Sequence, residues 1–138
     1  MTAHAFTLDP KLEEDTWFVC DLPLCSVRLH KNATWPWLIL VPRRPDMADL
    51  IDLSPAEQGE LLREVDKVSR VLRILAAPDK LNIASIGNVV RQLHVHVVAR
   101  RVGDAGWPAP VWGQPFNQGY GARQKEELIN WIYNELHR

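Results

Sequence analysis

The sequence predicts an α+β fold in which a long helix packs on a mostly antiparallel sheet of about five strands. Two observations carry this prediction. Two pairs of β-type segments are each joined by a turn, which indicates two β-hairpins. A long amphipathic segment with its own start and stop signals lies between them. Hairpins separated by a helix are typical of an antiparallel sheet with one face covered by helix.

The first hairpin is predicted over residues 24–42. It begins with LCSVRLH, in which apolar and polar residues alternate as in a half-buried strand. A turn at KNATWP leads to WLILVP, a continuous apolar run suited to a buried strand. Before this hairpin, residues 10–20 are expected to form a short helix or turn, because Asp9 is a candidate cap in front of Pro10.

The long helix starts at the strongest local signal in the chain. Ser54 is followed by Pro55 and then by Glu57, a capping box in which two side chains satisfy free backbone amides reciprocally. Apolar residues then recur at spacings of three and four until Pro78 ends the helix. This apolar stripe, which we expect to lie across the sheet, consists of Leu61, Val65, Val68, Leu72 and Leu75.

The second hairpin is predicted from KLNIAS and VVRQLHVHVVA, joined by a short turn at Gly87 and Asn88. After Arg101 the chain is rich in Gly, Pro and Trp without periodicity, so we expect a long loop that packs its own aromatic rings. The last segment, ARQKEELINWIYNELHR, is expected to form a closing helix. Its apolar face consists of Leu128, Ile129, Ile132 and Leu136.

Length, charge and composition restrict the class of protein. A chain of 138 residues suits one domain with its own core, so we expect a single domain over residues 1–138. The formal net charge of −1 lacks the basic excess expected for a partner such as duplex nucleic acid or an anionic membrane. Neither a signal-peptide pattern nor a stretch of roughly 20 apolar residues is present, so the expected location is cytoplasmic.

Two histidines lie two positions apart in the apolar segment QLHVHVVAR. Because alternate side chains of a strand share a face, Gln92, His94 and His96 are expected to form one polar row opposite the core. The row alone is compatible with an exposed strand face, a zinc pair or a catalytic cleft. Zinc requires three or four ligands. The other histidines have no recognisable spacing with the pair: His4, His30 and His137.

The segment QLHVHVVAR resembles the signature of the histidine triad (HIT) superfamily of nucleotide hydrolases and transferases, in which histidines alternate with apolar residues. The resemblance extends to WPWLILVPRR, the capped helix and NIASIGN, and it covers residues 20–101, leaving the loop and helix at 102–138 outside. It implies an enzyme that attacks the α-phosphate of nucleotide conjugates, such as diadenosine polyphosphates, through a nucleotidyl-histidine intermediate. Nucleoside phosphoramidates are alternative substrates, and a nucleotide-binding module with little turnover is the alternative function.

The resemblance implies a role for each member of the polar row. His94 matches the nucleophile, and His96 matches the third position, which orients its neighbours. Gln92 stands at the first position, where most members have His; glutamine donates a hydrogen bond but supplies no titratable proton. A neutral imidazole attacks phosphorus through one ring nitrogen, provided that an acceptor such as a backbone carbonyl holds the other as N–H.

Other residues are expected to bind the rest of a nucleotide. The turn amides near Gly87 and the side chains of Asn88 and Asn82 are candidates for phosphate binding, although each asparagine also suits a turn or surface position. The family's usual ribose contact falls near the end of the first predicted strand. Asn32 is the candidate there, with His30 in reserve, and a simple turn role suits Asn32 equally well.

The remaining expectations concern the end of the histidine strand and the loop beyond it. Arg100 has the parity of the histidines, so it either meets a phosphate or solvates the strand end. Trp107 and Trp112 lie in a segment resembling that of a bacterial branch of the superfamily, and we expect packing or dimer contacts from them rather than base stacking. A homodimer is expected, because superfamily members are commonly dimers. The covalent step requires no cofactor, although a divalent ion could arrive with the nucleotide.

Overall fold

Five strands form one antiparallel sheet in the computed structural model, which describes residues 5–138. The strands are β1 (Thr16–Asp21), β2 (Cys25–His30), β3 (Trp37–Pro42), β4 (Lys80–Ala84) and β5 (Val95–Arg100). The α-helices are α1 (Pro10–Asp15), α2 (Pro55–Ala76) and α3 (Ala122–Leu136). The order across the sheet is β1-β2-β3-β5-β4, and each neighbouring pair is antiparallel. The predicted α+β fold is therefore confirmed.

The N-terminal part of the sheet differs from its prediction. Residues 10–20 were expected to form a helix or turn, but α1 ends at Asp15 and is followed at once by β1. The pairing of β1 with β2 shifts register between Phe18 and Cys20, so buried and exposed residues do not alternate strictly along β1. This bulge removes the periodicity by which a strand is recognised in sequence.

Helix α2 begins as its capping box predicts. The Ser54 hydroxyl accepts a hydrogen bond from the Glu57 amide at 3.2 Å, and the Glu57 carboxylate accepts one from the Ser54 amide at 3.1 Å. The helix ends where Ala77 adopts a left-handed conformation with φ of 44°, directly before Pro78. Its predicted stripe lies in the core between the helix and the sheet.

The connection between β4 and β5 is longer than the predicted short turn. Strand β5 begins only at Val95, so residues 85–94 form a loop. The Leu93 amide in this loop donates to the Met47 carbonyl at 2.9 Å rather than to β4. Gly87 has φ of +72°, in the left-handed region that the sequence predicted for a glycine there.

The two faces of the sheet are covered differently. Helices α2 and α3 cover one face and enclose an apolar core that includes Val27, Leu40 and Val97. The other face carries Trp37 and Ile39, and it is covered by the N-terminal segment and by the irregular chain after β5. That chain forms the expected loop, and α3 buries its predicted apolar face. Among the described residues, no helix is both long and apolar enough to cross a membrane.

Candidate active site

A pocket of about 390 Å³ opens on the face of the sheet opposite α2. Three parts of the chain line it: helix α1, the loop before β5, and aromatic or imidazole side chains of the sheet and of the C-terminal loop. The lining residues are Lys11, Asp15, His30, Trp37, Ile86, Gly87, Asn88, Val89, Val90, His94, His96 and Trp112. The pocket thus contains both histidines of the sequence motif.

His94 is held in one orientation by the backbone just before it. Its Nδ1 lies 2.6 Å from the carbonyl oxygen of Gln92, and its side chain is buried at the pocket wall. A carbonyl only accepts hydrogen bonds, so in the neutral imidazole Nδ1 carries the proton and Nε2 keeps its lone pair. This is the arrangement that a nucleophilic imidazole requires.

His96 has the opposite tautomer. The indole N–H of Trp37 donates to His96 Nδ1 at 3.0 Å, and an indole N–H only donates, so the proton of His96 is on Nε2. Burial, with a smaller effect of neighbouring His94, lowers the pKa of His96 to about 3. His96 is therefore neutral at neutral pH and presents a fixed N–H donor. The ring centroids of the two histidines are 4.9 Å apart.

Aromatic rings form one wall of the pocket. The ring of His30 stacks on Trp37 with centroids 3.8 Å apart and an interplanar angle of 10°. Trp112 meets both Trp37 and His96 edge to face, at centroid distances of 6.2 and 5.2 Å. Burial lowers the pKa of His30 to about 4, so this imidazole is also neutral at neutral pH. The wall offers flat apolar surface of the kind that binds planar ligands.

Two of the three predicted phosphate-binding residues line the pocket, and the third lies outside it. Gly87 and Asn88 line the pocket, and a Cβ at Gly87 would lie 3.1 Å from the Val90 carbonyl oxygen. Asn82 instead lies within β4, paired with Val98, and does not belong to the lining. The loop before β5 thus supplies the phosphate candidates that the structure brings to the histidines.

Asn32, the ribose candidate, fastens the β2–β3 turn to the C-terminal loop. Its Nδ2 donates to the Phe116 carbonyl at 2.9 Å, and its Oδ1 accepts from the Thr34 amide at 3.1 Å. It does not line the pocket, whereas the reserve candidate His30 does. The Asn32 amide donates to His30 Nδ1 at 3.0 Å, so the asparagine backbone orients the histidine ring.

Gln92 does not turn its side chain toward the pocket. Its Oε1 accepts from the Asp9 amide and its Nε2 donates to the Thr7 carbonyl, both at 2.8 Å. Because β5 begins at Val95, strand alternation does not extend back to position 92. The expected row of three side chains is therefore a pair of histidines, with the glutamine bound to the N-terminal segment.

Arg100 takes neither of its two expected roles. Its guanidinium is buried, makes two hydrogen bonds of 2.8 and 2.7 Å to Asp104, and donates to the Ala109 carbonyl at 2.8 Å. It lies 5.4 Å from the ring centroid of Trp107, so this ring packs on the buried guanidinium, while a dimer contact from Trp107 stays a prediction. Trp112, in contrast, is part of the pocket wall.

Among the charged and aromatic lining residues, Trp37, Lys11 and Asp15 were not singled out from the sequence. Trp37 was assigned only to a buried strand, while Lys11 and Asp15 belong to the uncertain N-terminal segment. The four-residue spacing of Lys11 and Asp15 indicates a shared helix face, and their side chains are 3.1 Å apart, but only the tertiary structure brings them to the histidines. Within residues 5–138, no group of three or more His, Cys, Asp or Glu side chains is placed to hold a metal ion.

The family model of the HIT domain matches residues 11–103. This chain belongs to the HIT family. A solved histidine triad protein from Bradyrhizobium japonicum is 46% identical, with a TM-score of 0.93 over 96% of this chain and 99% of that one. A second, from Sinorhizobium meliloti, is 42% identical, with a TM-score of 0.91 over 94% and 96% of the two chains.

A curated relative of the HIT protein is the AP-4-A phosphorylase of Mycobacterium tuberculosis. It is 33% identical over 82 residues, which cover 55% of this chain and 42% of the relative. The match therefore spans less than half of that protein. Together with the solved structures, the family match confirms the resemblance that the histidine segment suggested.

Proposed function

We propose that this HIT protein hydrolyses or transfers nucleotidyl groups through a covalent intermediate on His94. The observation that carries the proposal is the 2.6 Å contact between His94 Nδ1 and the Gln92 carbonyl, which leaves Nε2 free to attack in the pocket. Membership of the HIT family and the likeness to a protein named AP-4-A phosphorylase support the same chemistry.

In the first step, Nε2 of His94 forms a bond to the α-phosphorus while the bond to the leaving oxygen breaks. The leaving group departs with that electron pair. Water then attacks the same phosphorus, the P–N bond breaks, and the imidazole recovers its lone pair as the nucleotide is released, while the attacking water loses a proton to solvent. The fixed N–H of His96 and the amides near Gly87 are proposed to stabilise the charge on the phosphate oxygens.

We propose dinucleoside polyphosphates as the substrates of this pocket. The Gln92 amide is engaged by the N-terminal segment, and burial lowers the pKa of both His30 and His96. These groups are therefore poor proton donors for a departing amine, as phosphoramidates would require. A polyphosphate leaves as a stable anion and needs no proton. The stacked His30 and Trp37 rings offer a surface for a base.

The test is turnover of a substrate panel by the wild type and by His94→Gly. Diadenosine and diguanosine polyphosphates and the corresponding phosphoramidates are incubated with each protein, with Mg²⁺ and with a chelator. We expect hydrolysis of the polyphosphates by the wild type and a loss of at least about 10³-fold in the variant. His137→Asn, an exposed change in the last turn of the chain, is the control and should retain activity.

The second candidate function is a nucleotide-binding module with negligible turnover. The engagement of Gln92 away from the pocket favours it, since the first triad position then offers nothing to the leaving group. Ligand binding without turnover, in both the wild type and His94→Gly, would support the module and contradict the enzyme. A large rate gain in Gln92→His would indicate that the native glutamine limits catalysis.

A homodimer, a single domain over the whole chain and a cytoplasmic location stay predictions. Sedimentation velocity at micromolar concentration tests the first of these: a species of twice the mass is expected, and a monomer would contradict it.

A further inference from the structure

We infer that Gln92 is a positioning residue whose side-chain amide holds α1 at the pocket, so that Lys11 binds the phosphate chain of the substrate. The inference rests on the proposed function, because it concerns the same pocket. It differs from the role that the histidine triad assigns to this position, since Gln92 is not required to touch the substrate.

The amide of Gln92 joins the loop before β5 to the start of α1. It accepts from the Asp9 amide and donates to the Thr7 carbonyl, so a single side chain pairs with two backbone groups. Asp9 is the N-cap of α1, and its carboxylate accepts from the Lys11 amide at 2.8 Å. Gln92 is therefore fastened directly to the turn that carries Lys11.

The other end of α1 is fixed independently of Gln92. Leu12 is buried in the apolar cluster of this sheet face, and its carbonyl accepts from the Thr16 hydroxyl at 2.5 Å. The Asp15 carbonyl accepts from the Lys31 amide at 3.0 Å. Removing the Gln92 side chain should therefore loosen the first turn of α1 while leaving the helix attached to the sheet.

Lys11 is the only amine or guanidinium among the described residues that line the pocket. Its partner there is the Asp15 carboxylate, 3.1 Å from Nζ, and both side chains are substantially exposed. An exposed ion pair of this kind is weak, so Nζ can exchange the carboxylate for a phosphate oxygen. Because His30 and His96 are neutral, Lys11 supplies the positive charge that can bind a polyphosphate in this pocket.

The experiment is a double-mutant cycle on Lys11→Ala and Gln92→Ala with diadenosine tetraphosphate as substrate. We expect KM to rise about tenfold in Lys11→Ala and about fivefold in Gln92→Ala, with kcat within twofold of the wild type. In the double variant, KM should be no higher than in Lys11→Ala, because both changes remove the same interaction. Independent, multiplying effects on KM, or an unchanged KM in Gln92→Ala, would overturn the inference.

Two further variants separate positioning from folding. Gln92→Glu keeps the acceptor for the Asp9 amide but loses the donor to Thr7. Its KM should therefore be intermediate between those of the wild type and Gln92→Ala. Asp15→Asn should lower KM by about twofold to threefold, since it removes the carboxylate that competes for Lys11. Gln58→Ala is the matched control: its amide donates to the Leu53 carbonyl at 2.9 Å, away from the pocket, and KM should not change.

ATP binding measured by calorimetry distinguishes failure of this inference from failure of the proposed function. If no nucleotide conjugate is turned over, but the Kd for ATP shows the same non-additive pattern, the enzyme proposal fails and the positioning role stands. If turnover proceeds through His94 while KM and Kd do not respond to Lys11 or Gln92, the positioning role fails alone.

Discussion

The two faces of the central sheet are built from the same strands, but only one of them carries the pocket. Beneath α2 and α3, β3 and β5 contribute apolar residues such as Leu38, Leu40 and Val97. On the other face the alternate positions hold Trp37 and His96, which belong to the pocket. One face is thus a closed apolar core, whereas the other combines an apolar cluster with polar groups that rigid strands hold in fixed positions.

Polar groups on the pocket face are buried with specific partners. His96 accepts from Trp37, Arg100 binds Asp104, and the Arg28 guanidinium donates to the Thr16 hydroxyl at 2.7 Å. Burying such groups unpaired would cost several kcal/mol, so the pairs fix their orientation. The helix-covered face has its own exception in Glu64, whose carboxylate accepts two backbone amides at the start of β2.

The largest expected effect on stability is on the pocket face, from Asp104→Ala. This change leaves the Arg100 guanidinium buried without its carboxylate, so the free energy of unfolding should fall by about 3–5 kcal/mol. Urea unfolding measures it. Asp66→Ala, which breaks an exposed pair with Arg70 of 2.9 Å, is the control and should change stability little. Similar small losses for both variants would contradict the proposed difference between buried and exposed pairs.

On the helix-covered face, Leu40→Ala should lower the free energy of unfolding by about 2–4 kcal/mol, because it opens a cavity in a closed apolar core. The kcat of the folded variant should stay within about twofold of the wild type, since Leu40 does not line the pocket. Unfolding curves and kinetics at a temperature well below the transition measure the two effects. A large loss of kcat in a variant that still folds would contradict the claim that the helix-covered face affects stability and not catalysis.

The pH dependence of stability should report the buried imidazole of His30. Its pKa is about 4 in the folded protein, against an ordinary 6.5 when unfolded. Between these values the unfolded chain binds a proton at His30 and another at His96, whose pKa in the folded protein is about 3. Each of the two groups therefore lowers the stability by about 1.4 kcal/mol per pH unit as the pH drops through this window. The stability that depends on a neutral buried imidazole is fully present above pH 6.5. His30→Asn should remove about half of this slope and leave the part that is due to His96. An unchanged slope would contradict the burial of the His30 ring.

The smallest expected effect is that of Trp37→Phe, which keeps an aromatic ring against His30 but removes the donor to His96 Nδ1. The lost neutral hydrogen bond, about 1 kcal/mol, corresponds to a fall in kcat of about fivefold. The free energy of unfolding should decrease by about 1–2 kcal/mol. If kcat falls only in proportion to the folded fraction, then the orientation of His96 does not depend on Trp37.

Much of the fold was predictable because its signals are local. The capping box at Ser54, the stripe of α2 and the apolar run of β3 depend on neighbours in sequence, and all of them appear in the structure. Strand β1 was missed because its bulge breaks the alternation. The short turn at Gly87 was wrong, since β5 begins only at Val95 and the Leu93 amide binds the Met47 carbonyl, a residue distant in sequence, instead of a strand partner.

The candidate site was predictable only in its centre. The spacing of His94 and His96 identified the pair, and Gly87 and Asn88 were expected near it and do line the pocket, although they lie in a loop longer than the predicted turn. Lys11 and Trp37 belong to α1 and β3, and no periodicity in the sequence predicts that these elements bring them to the pocket. Gln92 was expected beside the histidines because alternation was extended past the start of β5, where it no longer applies.

The most direct test of the central claim is the intact mass of the protein, measured after it is mixed with a dinucleoside polyphosphate and the reaction is rapidly quenched. The free Nε2 of His94 predicts a covalent adduct equal in mass to one nucleotidyl group, labile in acid and absent from His94→Gly. An adduct that persists in His94→Gly, or hydrolysis that proceeds at the wild-type rate without this imidazole, would contradict the account.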